Sequence, residues 1–128
     1  MAVLRDVVTD CARPAALARF WAQALDGYEV APYDDAEIAR LATLGVTDVE
    51  DDPSVLVQPT GGGAGVRFWF QQVPEAKVVK NRVHVDLAAQ DPAGEVARLL
   101  GLGATVVLEG PDTIVLADPE GNEFCVIR

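Results

Sequence analysis

The sequence lacks most of the signals that would assign a function directly. It has no apolar run near the ~20 residues that a helix needs to cross a bilayer, which argues against a membrane-spanning helix. Its two cysteines, Cys11 and Cys125, form no CxxC pair, which excludes the usual zinc-ribbon and thioredoxin-type motifs. The TGGGAG stretch at 60–65 is not followed by GK[ST], so it predicts a hairpin turn and not a phosphate-binding loop.

Basic residues are also scarce, with ten Lys and Arg against twenty Asp and Glu, and the formal net charge is -10. This charge repels phosphate backbones and anionic lipid, so nucleic acids and membrane surfaces are excluded as partners. It attracts cationic small molecules, although surplus carboxylates also keep a protein dispersed in water. The opening residues MAVLRDVVTD carry charge too early for a signal peptide. We therefore expect a cytoplasmic protein in which Cys11 and Cys125 are buried free thiols.

The sequence does contain enough apolar residues for a folded core, at 50% of 128 residues. In the first half, apolar spacing predicts a helix that begins at Pro14 and ends at Gly27. Asp34 and Asp35 are candidate caps for a second helix, which ends at Gly45. Alternating and aromatic-rich segments predict strands at 3–10, 54–58 and 66–71.

The second half predicts one strand, one helix and three further strands. The strand RVHVDLAA at 82–89 contains the only histidine, and the helix over 92–102 follows it. EIARLATLG at 37–45 and EVARLLGLG at 95–103 match each other, which indicates a duplicated unit. Since this match pairs the second helix of the first half with the only helix of the second, it is compatible with an insertion within 28–44. The second strand of the first half is then either 28–31 or 46–50.

Three stretches carry a resemblance to a known family: Asp10-Cys11, Phe20-Trp21, and FQQVPEAKVVKNRVHVDL from Phe70 to Leu87. With the turn DPEGNEF, they resemble glyoxalase-like domains of the vicinal oxygen chelate superfamily, which includes glyoxalase I, extradiol dioxygenases and bleomycin-resistance proteins. The resemblance covers the whole chain. It implies a single α+β domain of two βαβββ modules, about 1–72 and 81–128, joined by a linker over 73–80. Eight strands then surround a concave surface, the cup, and the protein is expected to be a homodimer.

In that superfamily, divalent metal ligands come from the first and last strands of each module. Carried over by position, the resemblance assigns His84 and Glu123 in the second module and Asp6 or Val8 in the first. Imidazole and carboxylate groups suit Zn, Fe, Mn or Ni. Arg67 stands at the remaining ligand position, and a guanidinium cannot ligate a metal but can pair with Glu123. Two alternatives are therefore open. The protein either binds a metal through His84, Glu123 and Asp6 or contains no metal.

Strand alternation predicts which side chains line the cup, because residues two apart point to the same face. The predicted ligand-binding residues are Arg67, Trp69, Gln71, His84 and Asp86, and the same faces carry Glu123 and Cys125. The opposite faces, expected to point toward the helices, carry Val66, Phe68, Phe70, Val83, Val85, Phe124 and Val126. Trp69 alternates with polar residues and predicts ligand stacking, whereas Trp21 on an apolar helix face predicts a core residue. Such a lining is typical of a small-molecule site.

Three functions fit this sequence. One is binding of a small organic molecule, cationic by charge complementarity, with no reaction implied. Another is a metal-dependent lyase or isomerase of the glyoxalase type, in which a metal held by His84 and Glu123 polarises a ligand oxygen, or Glu123 moves a proton as the catalytic residue. The third is a non-catalytic protein that sequesters an antibiotic, as the resemblance to bleomycin-resistance proteins implies.

Overall fold

The computed structural model describes all 128 residues, which form two compact units, Met1–Ala76 and Lys77–Arg128. We call these the first and the second unit. The boundary between them falls within the residues 73–80 that were expected to be a linker. No helix in the chain is both long and apolar enough to cross a membrane.

The first unit is a four-stranded mixed sheet with two helices. Its elements are β1 Asp6–Cys11, α1 Pro14–Ala24, β2 Tyr28–Val30, α2 Asp35–Thr43, β3 Ser54–Pro59 and β4 Arg67–Gln72. The strand order is β1-β4-β3-β2, with β1 parallel to β4 and the other pairs antiparallel. Helix α1 packs on β3 and β4, and α2 is capped by Asp34, whose side chain accepts a hydrogen bond from the Glu37 N–H, as the sequence predicts.

The second unit repeats this arrangement with one helix. Its elements are β5 Asp86–Ala88, α3 Pro92–Leu102, β6 Thr105–Glu109, β7 Thr113–Ala117 and β8 Glu123–Ile127. The order is β5-β8-β7-β6, again with one parallel pair, β5 and β8. Helix α3 begins at Pro92, and Gly103 after it has a φ of +115°, a left-handed conformation that favours glycine.

The two units share one order of strands, so the predicted α+β fold of two βαβββ modules is confirmed. By its place between the first and second strands, α1 is the counterpart of α3. Helix α2 is the additional element, and it lies within the stretch where the internal match was compatible with an insertion. Helices α2 and α3 are therefore similar in sequence although they do not occupy equivalent positions in the two units.

Each unit has its own apolar core. Trp21 is 8% exposed and therefore a core residue, as predicted, and both cysteines are buried free thiols. The most deeply buried side chains of the first unit are Leu17, Val55, Val57 and Phe70, and those of the second are Leu99, Leu116, Phe124 and Val126. The predicted inward orientation holds for Phe70, Phe124 and Val126.

One predicted strand is shorter than expected, and the structure decides between two alternatives for another. The strand expected at 82–89 forms only over Asp86–Ala88, so Val83, expected to point inward, is 79% exposed. The physical reason is that the chain just before β5 binds the Glu123 side chain through Lys77 and Asn81. The alternative strand at 46–50 is also absent, because Asp48 caps a 3-10 turn at Val49–Asp51, and the strand is Tyr28–Val30.

Strand β6 is the edge strand of the second sheet. Its five residues are all exposed, although three of them are the apolar Val106, Val107 and Leu108. Its pairing with β7 shifts register between Val106 and Leu108, which leaves Val107 without a partner in the ladder. This irregularity is a β-bulge.

Candidate functional site

Asp6 and Arg67 face each other in direct register on β1 and β4. The guanidinium donates two hydrogen bonds to the carboxylate, from Nε to Oδ1 at 2.7 Å and from Nη2 to Oδ2 at 3.0 Å. The Arg67 hydrogen bonds hold the pKa of Asp6 below its usual value, against the opposing effect of desolvation. Both carboxylate oxygens are thus engaged by a permanently charged partner in a two-point geometry.

Glu123 opens β8 and is bound by the residues that precede β5. The Lys77 Nζ donates to Glu123 Oε1 at 3.0 Å, and the backbone N–H of Asn81 donates to Oε2 at 2.9 Å. The Asn81 hydrogen bond is the largest cause that lowers the pKa of Glu123 to about 2. Arg67 and Glu123, which were expected to pair with each other, each have an oppositely charged partner inside their own unit, Asp6 and Lys77.

The divalent metal that the family resemblance implies would use His84, Glu123 and Asp6, and inside their own units two of these side chains already have charged partners. Both oxygens of Asp6 and both oxygens of Glu123 already accept hydrogen bonds, and each carboxylate is paired with a cation, Arg67 or Lys77. Val8, the alternative to Asp6, has no ligand atom. A metal at this set would therefore have to compete with Arg67 for Asp6 and with Lys77 for Glu123.

The substitution Glu123→Gln is expected to lower the free energy of unfolding by about 1–2 kcal/mol at neutral pH, because it removes the charge that binds Lys77 and Asn81. The folded pKa of about 2 lies below the usual 4.5, so this contribution is complete above pH 4.5 and is lost as pH falls toward 2. Urea unfolding followed by circular dichroism at several pH values measures both effects. Wild type should lose more stability in acid than the variant, with Glu109→Gln on exposed β6 as the control. An equal acid loss in wild type and Glu123→Gln would contradict this role.

A different cluster of ligand-type side chains lies in the second unit. Asp86 on β5 is in register with Cys125 on β8, and His84 precedes Asp86 by two residues. The His84 Nε2 lies 3.5 Å from Asp86 Oδ1. Burial raises the pKa of the Cys125 thiol, the Asp86 carboxylate raises it further, and Lys80 opposes them. One ligand atom from each of the three residues lies within 4.8 Å of the other two.

A cavity of about 220 Å³ lies in the first unit, beside β3 and β4 and the beginning of α2. Its apolar wall comes from Ala31, Pro32 and Leu56, and its aromatic side chains are Tyr33 and Trp69. Its polar lining consists of Asp34, Glu37, Asp52 and Ser54. The cavity therefore combines apolar and aromatic surface with three carboxylates.

Asp52 is the buried charge of this cavity, with 3% of its surface exposed. The Tyr33 hydroxyl donates to its Oδ2 at 2.7 Å, and the Ser54 N–H donates to its Oδ1 at 2.9 Å. Burial and the Asp52 hydrogen bond raise the pKa of Tyr33 well above its usual value, so the hydroxyl stays a donor. Arg40 pairs with Glu37, and Asp34 and Asp52 still leave the lining with a surplus of negative charge.

The predicted ligand-binding residues occupy different positions within each unit. Trp69 lines the cavity, and Arg67 lies two residues before it on β4, bound to Asp6. Gln71 is exposed near the other end of β4. His84 and Asp86 belong to the cluster of the second unit.

Sequence reasoning did not identify the polar lining of the cavity. The sequence pattern predicts a helix cap at Asp34, which the structure confirms, but it indicates no functional role for Tyr33, Glu37 or Asp52. The segment 28–44, which is compatible with an insertion, supplies Tyr33, Asp34 and Glu37 to the lining and is the one sequence signal for it.

Comparisons with known proteins agree with this architecture. The model of a family described as a glyoxalase-like domain matches residues 6–127. No curated protein matches. Among solved structures, an enzyme of the glyoxalase, bleomycin resistance protein and dioxygenase family from Burkholderia phytofirmans is 16% identical, with a TM-score of 0.63 and coverage of 98% of this chain and 97% of that one.

Two further solved structures carry functional names. The trypanothione-dependent glyoxalase I of Leishmania major is 14% identical, with a TM-score of 0.61 and coverage of 100% of this chain and 87% of that one. A bleomycin-binding protein solved with bleomycin is 12% identical, with a TM-score of 0.54 and coverage of 100% and 98%. At these identities the similarity shows a common fold.

Proposed function

This chain belongs to the family of glyoxalase-like domains, and from that premise we propose that it binds a small cationic organic molecule in the acidic, aromatic cavity of its first unit. The observation that carries the proposal is the joint presence of Trp69, Tyr33 and the buried Asp52 in one lining. An aromatic face attracts a cation through its quadrupole, and a nearby carboxylate adds a charge that water screens poorly.

The size of the cavity limits the ligand. Its volume of about 220 Å³ lies below the ~300 Å³ at which sites for drug-sized ligands begin. It therefore fits a small amine, or the cationic end of a longer molecule whose remainder stays outside. The net charge of -10 helps to concentrate such cations near the chain.

Binding without a reaction is favoured over the lyase or isomerase alternative. In that alternative, Glu123 either helps His84 to hold a metal or moves a proton, and its carboxylate is already engaged by Lys77 and Asn81. Sequestration of a cationic antibiotic is the second candidate, which the acidic lining and the fold shared with a bleomycin-binding protein favour. The homodimer expected from the sequence stays a prediction, which sedimentation of the purified chain tests.

Tryptophan fluorescence can test the proposed binding directly. The chain has two tryptophans, so the substitution Trp21→Phe leaves Trp69 as the single reporter in the cavity lining. Titration with aliphatic amines, aromatic amines, quaternary ammonium compounds and bleomycin should give saturable changes in fluorescence. Uncharged analogues of the same shape should bind at least about 10-fold more weakly, and added salt should weaken the binding of cations.

The role of Trp69 is tested by comparing Trp69→Ala with Trp69→Phe. The alanine variant is expected to lose about 10-fold in affinity, measured by calorimetry, because about 1–2 kcal/mol of cation–π attraction is removed. The phenylalanine variant keeps an aromatic face and should retain most of the affinity. If no cation in the panel binds, or if uncharged analogues bind equally well, the proposal fails.

A further inference from the structure

The second unit contains three side chains of different ligand chemistry that converge on one point. His84 supplies an imidazole nitrogen, Asp86 a carboxylate oxygen and Cys125 a sulfur, and one such atom from each lies within 4.8 Å of the others. The convergence is built into the backbone, because Asp86 and Cys125 are partners in the parallel pairing of β5 and β8. His84 lies just before β5, and its Nε2 reaches to 3.5 Å from Asp86 Oδ1.

We propose that the second unit binds a Zn²⁺-type divalent ion through His84, Asp86 and Cys125. This site differs from the set that the family resemblance implies, with which it shares only His84. It is also independent of the cavity in the first unit and goes beyond the proposed binding function.

The choice of metal follows from the donor atoms. A thiolate and an imidazole together suit Zn²⁺ and Co²⁺, whereas Mg²⁺ and Ca²⁺ prefer sites made only of oxygen. In a tetrahedral zinc site with bonds of 2.0–2.3 Å, neighbouring ligand atoms are roughly 3.3–3.6 Å apart. The His84 Nε2 and Asp86 Oδ1 are already 3.5 Å apart.

The exposure of the three residues indicates how an ion would enter. The side chains of His84 and Asp86 are 41% and 57% exposed, so they can rotate toward an ion without disturbing the core. Cys125 is only 8% exposed and fixes the inner end of the site. Three protein ligands leave the fourth tetrahedral position open on the solvent side, where water or a ligand atom can bind.

Glu123 is the alternative partner of His84, and the structure gives a reason to prefer Cys125. The carboxylate of Glu123 accepts hydrogen bonds from Lys77 and Asn81, so an ion would have to displace a cation from it. The Cys125 sulfur needs only to lose its proton, as metal-bound thiols do. The two alternatives are separated by single substitutions at Glu123 and Cys125.

The experiment uses the untagged chain of 128 residues, stripped of metal and titrated with Zn²⁺ by calorimetry and with Co²⁺ by absorption. We expect one equivalent of either ion to bind, and the Co²⁺ form to show the near-ultraviolet charge-transfer band of a cobalt–thiolate bond. Cys125→Ser should abolish the band. It should also lower the Zn²⁺ affinity at least about 100-fold, which is a larger loss than substitution of a residue outside the coordination shell causes. His84→Asn and Asp86→Asn should also lower the Zn²⁺ affinity. Because both side chains are exposed, these substitutions should leave the fold intact.

The controls are chosen to overturn the proposal if it is wrong. Cys11→Ser removes the other buried thiol, and Glu123→Gln removes the alternative carboxylate; both should keep the affinity and the band. If Cys125→Ser does not fold by circular dichroism, the His84 and Asp86 variants decide the outcome. Failure of wild type to bind, a band that survives Cys125→Ser, or loss of binding in Glu123→Gln would each refute this site. None of these results bears on amine binding in the first unit, which is measured separately.

Discussion

Replacing Asp118 with alanine is expected to lower the free energy of unfolding by roughly 3–5 kcal/mol, because one buried carboxylate organises the whole turn between β7 and β8. Asp118 is 3% exposed, and its oxygens accept hydrogen bonds from the Glu120 N–H at 2.9 Å and the Asn122 N–H at 3.0 Å. The Asn122 side-chain amide donates two more, at 3.1 and 3.0 Å. Alanine would leave these donors without their charged acceptor.

The consequence reaches the candidate metal site, since the turn leads directly into β8 and therefore positions Cys125. The turn also contains Gly121 with a φ of +87°, which strains any other residue, so its conformation has few alternatives. Once the carboxylate is removed, we expect the start of β8 to lose its register with β7.

Urea unfolding followed by two signals measures this effect. All tryptophan and tyrosine residues lie in the first unit, so fluorescence reports that unit alone, whereas circular dichroism reports both. For Asp118→Ala, the urea concentration at the midpoint of the dichroism transition should fall strongly. If the fluorescence midpoint stays at a higher urea concentration than the dichroism midpoint, the difference between them measures how far the two units unfold separately. Asp112→Ala, at an exposed position in the β6–β7 turn, is the matched control and should change stability by less than about 0.5 kcal/mol. A loss below about 1 kcal/mol in Asp118→Ala would contradict the organising role.

The substitution Asp52→Asn is expected to weaken binding of a cationic ligand roughly 100-fold, or about 2.7 kcal/mol. Asp52 is the buried carboxylate of the cavity, and removal of a charge from poorly solvated surroundings costs more than removal of an exposed one. Asparagine keeps the size of the side chain and can still accept a hydrogen bond from Ser54 or Tyr33, so the fold should survive.

The control for this substitution is Asp51→Asn. It removes the same formal charge one residue away, at an exposed position outside the cavity lining. Calorimetric titration with the tightest-binding amine from the panel should show a loss of less than about threefold for Asp51→Asn, because exposed charges are screened. Equal losses in the two variants would mean that the net charge, and not the cavity, attracts the ligand.

The sequence predicted the fold well because its signals are local and repeated. Two helices begin at Pro14 and Pro92, as the spacing of apolar residues predicts, and Asp34 caps the second helix of the chain. The two units share one order of strands, as the duplicated sequence pattern predicts. Alternation also placed Phe70 and Phe124 in the cores. Such features depend on a few neighbouring residues, and the backbone period fixes them.

The site was harder to predict because its contacts are not local. Arg67 was matched with Glu123 by position in the duplicated unit, but parallel register places it directly opposite Asp6, 61 residues away in sequence. Asp52 is joined to Tyr33 across a segment that has no counterpart in the second half. Strand alternation gives the face of a side chain but not its hydrogen-bonding partner.

The bulge in β6 has a consequence for the behaviour of the protein at high concentration. A straight edge strand with Val106, Val107 and Leu108 exposed would present a row of free backbone groups beside apolar side chains, which is a template for pairing with another chain. The register shift at Val107 breaks this row and twists the edge away from a flat partner. Deletion of Val107 would restore a regular ladder, and we expect such a chain to be more prone to form intermolecular sheets and fibrils.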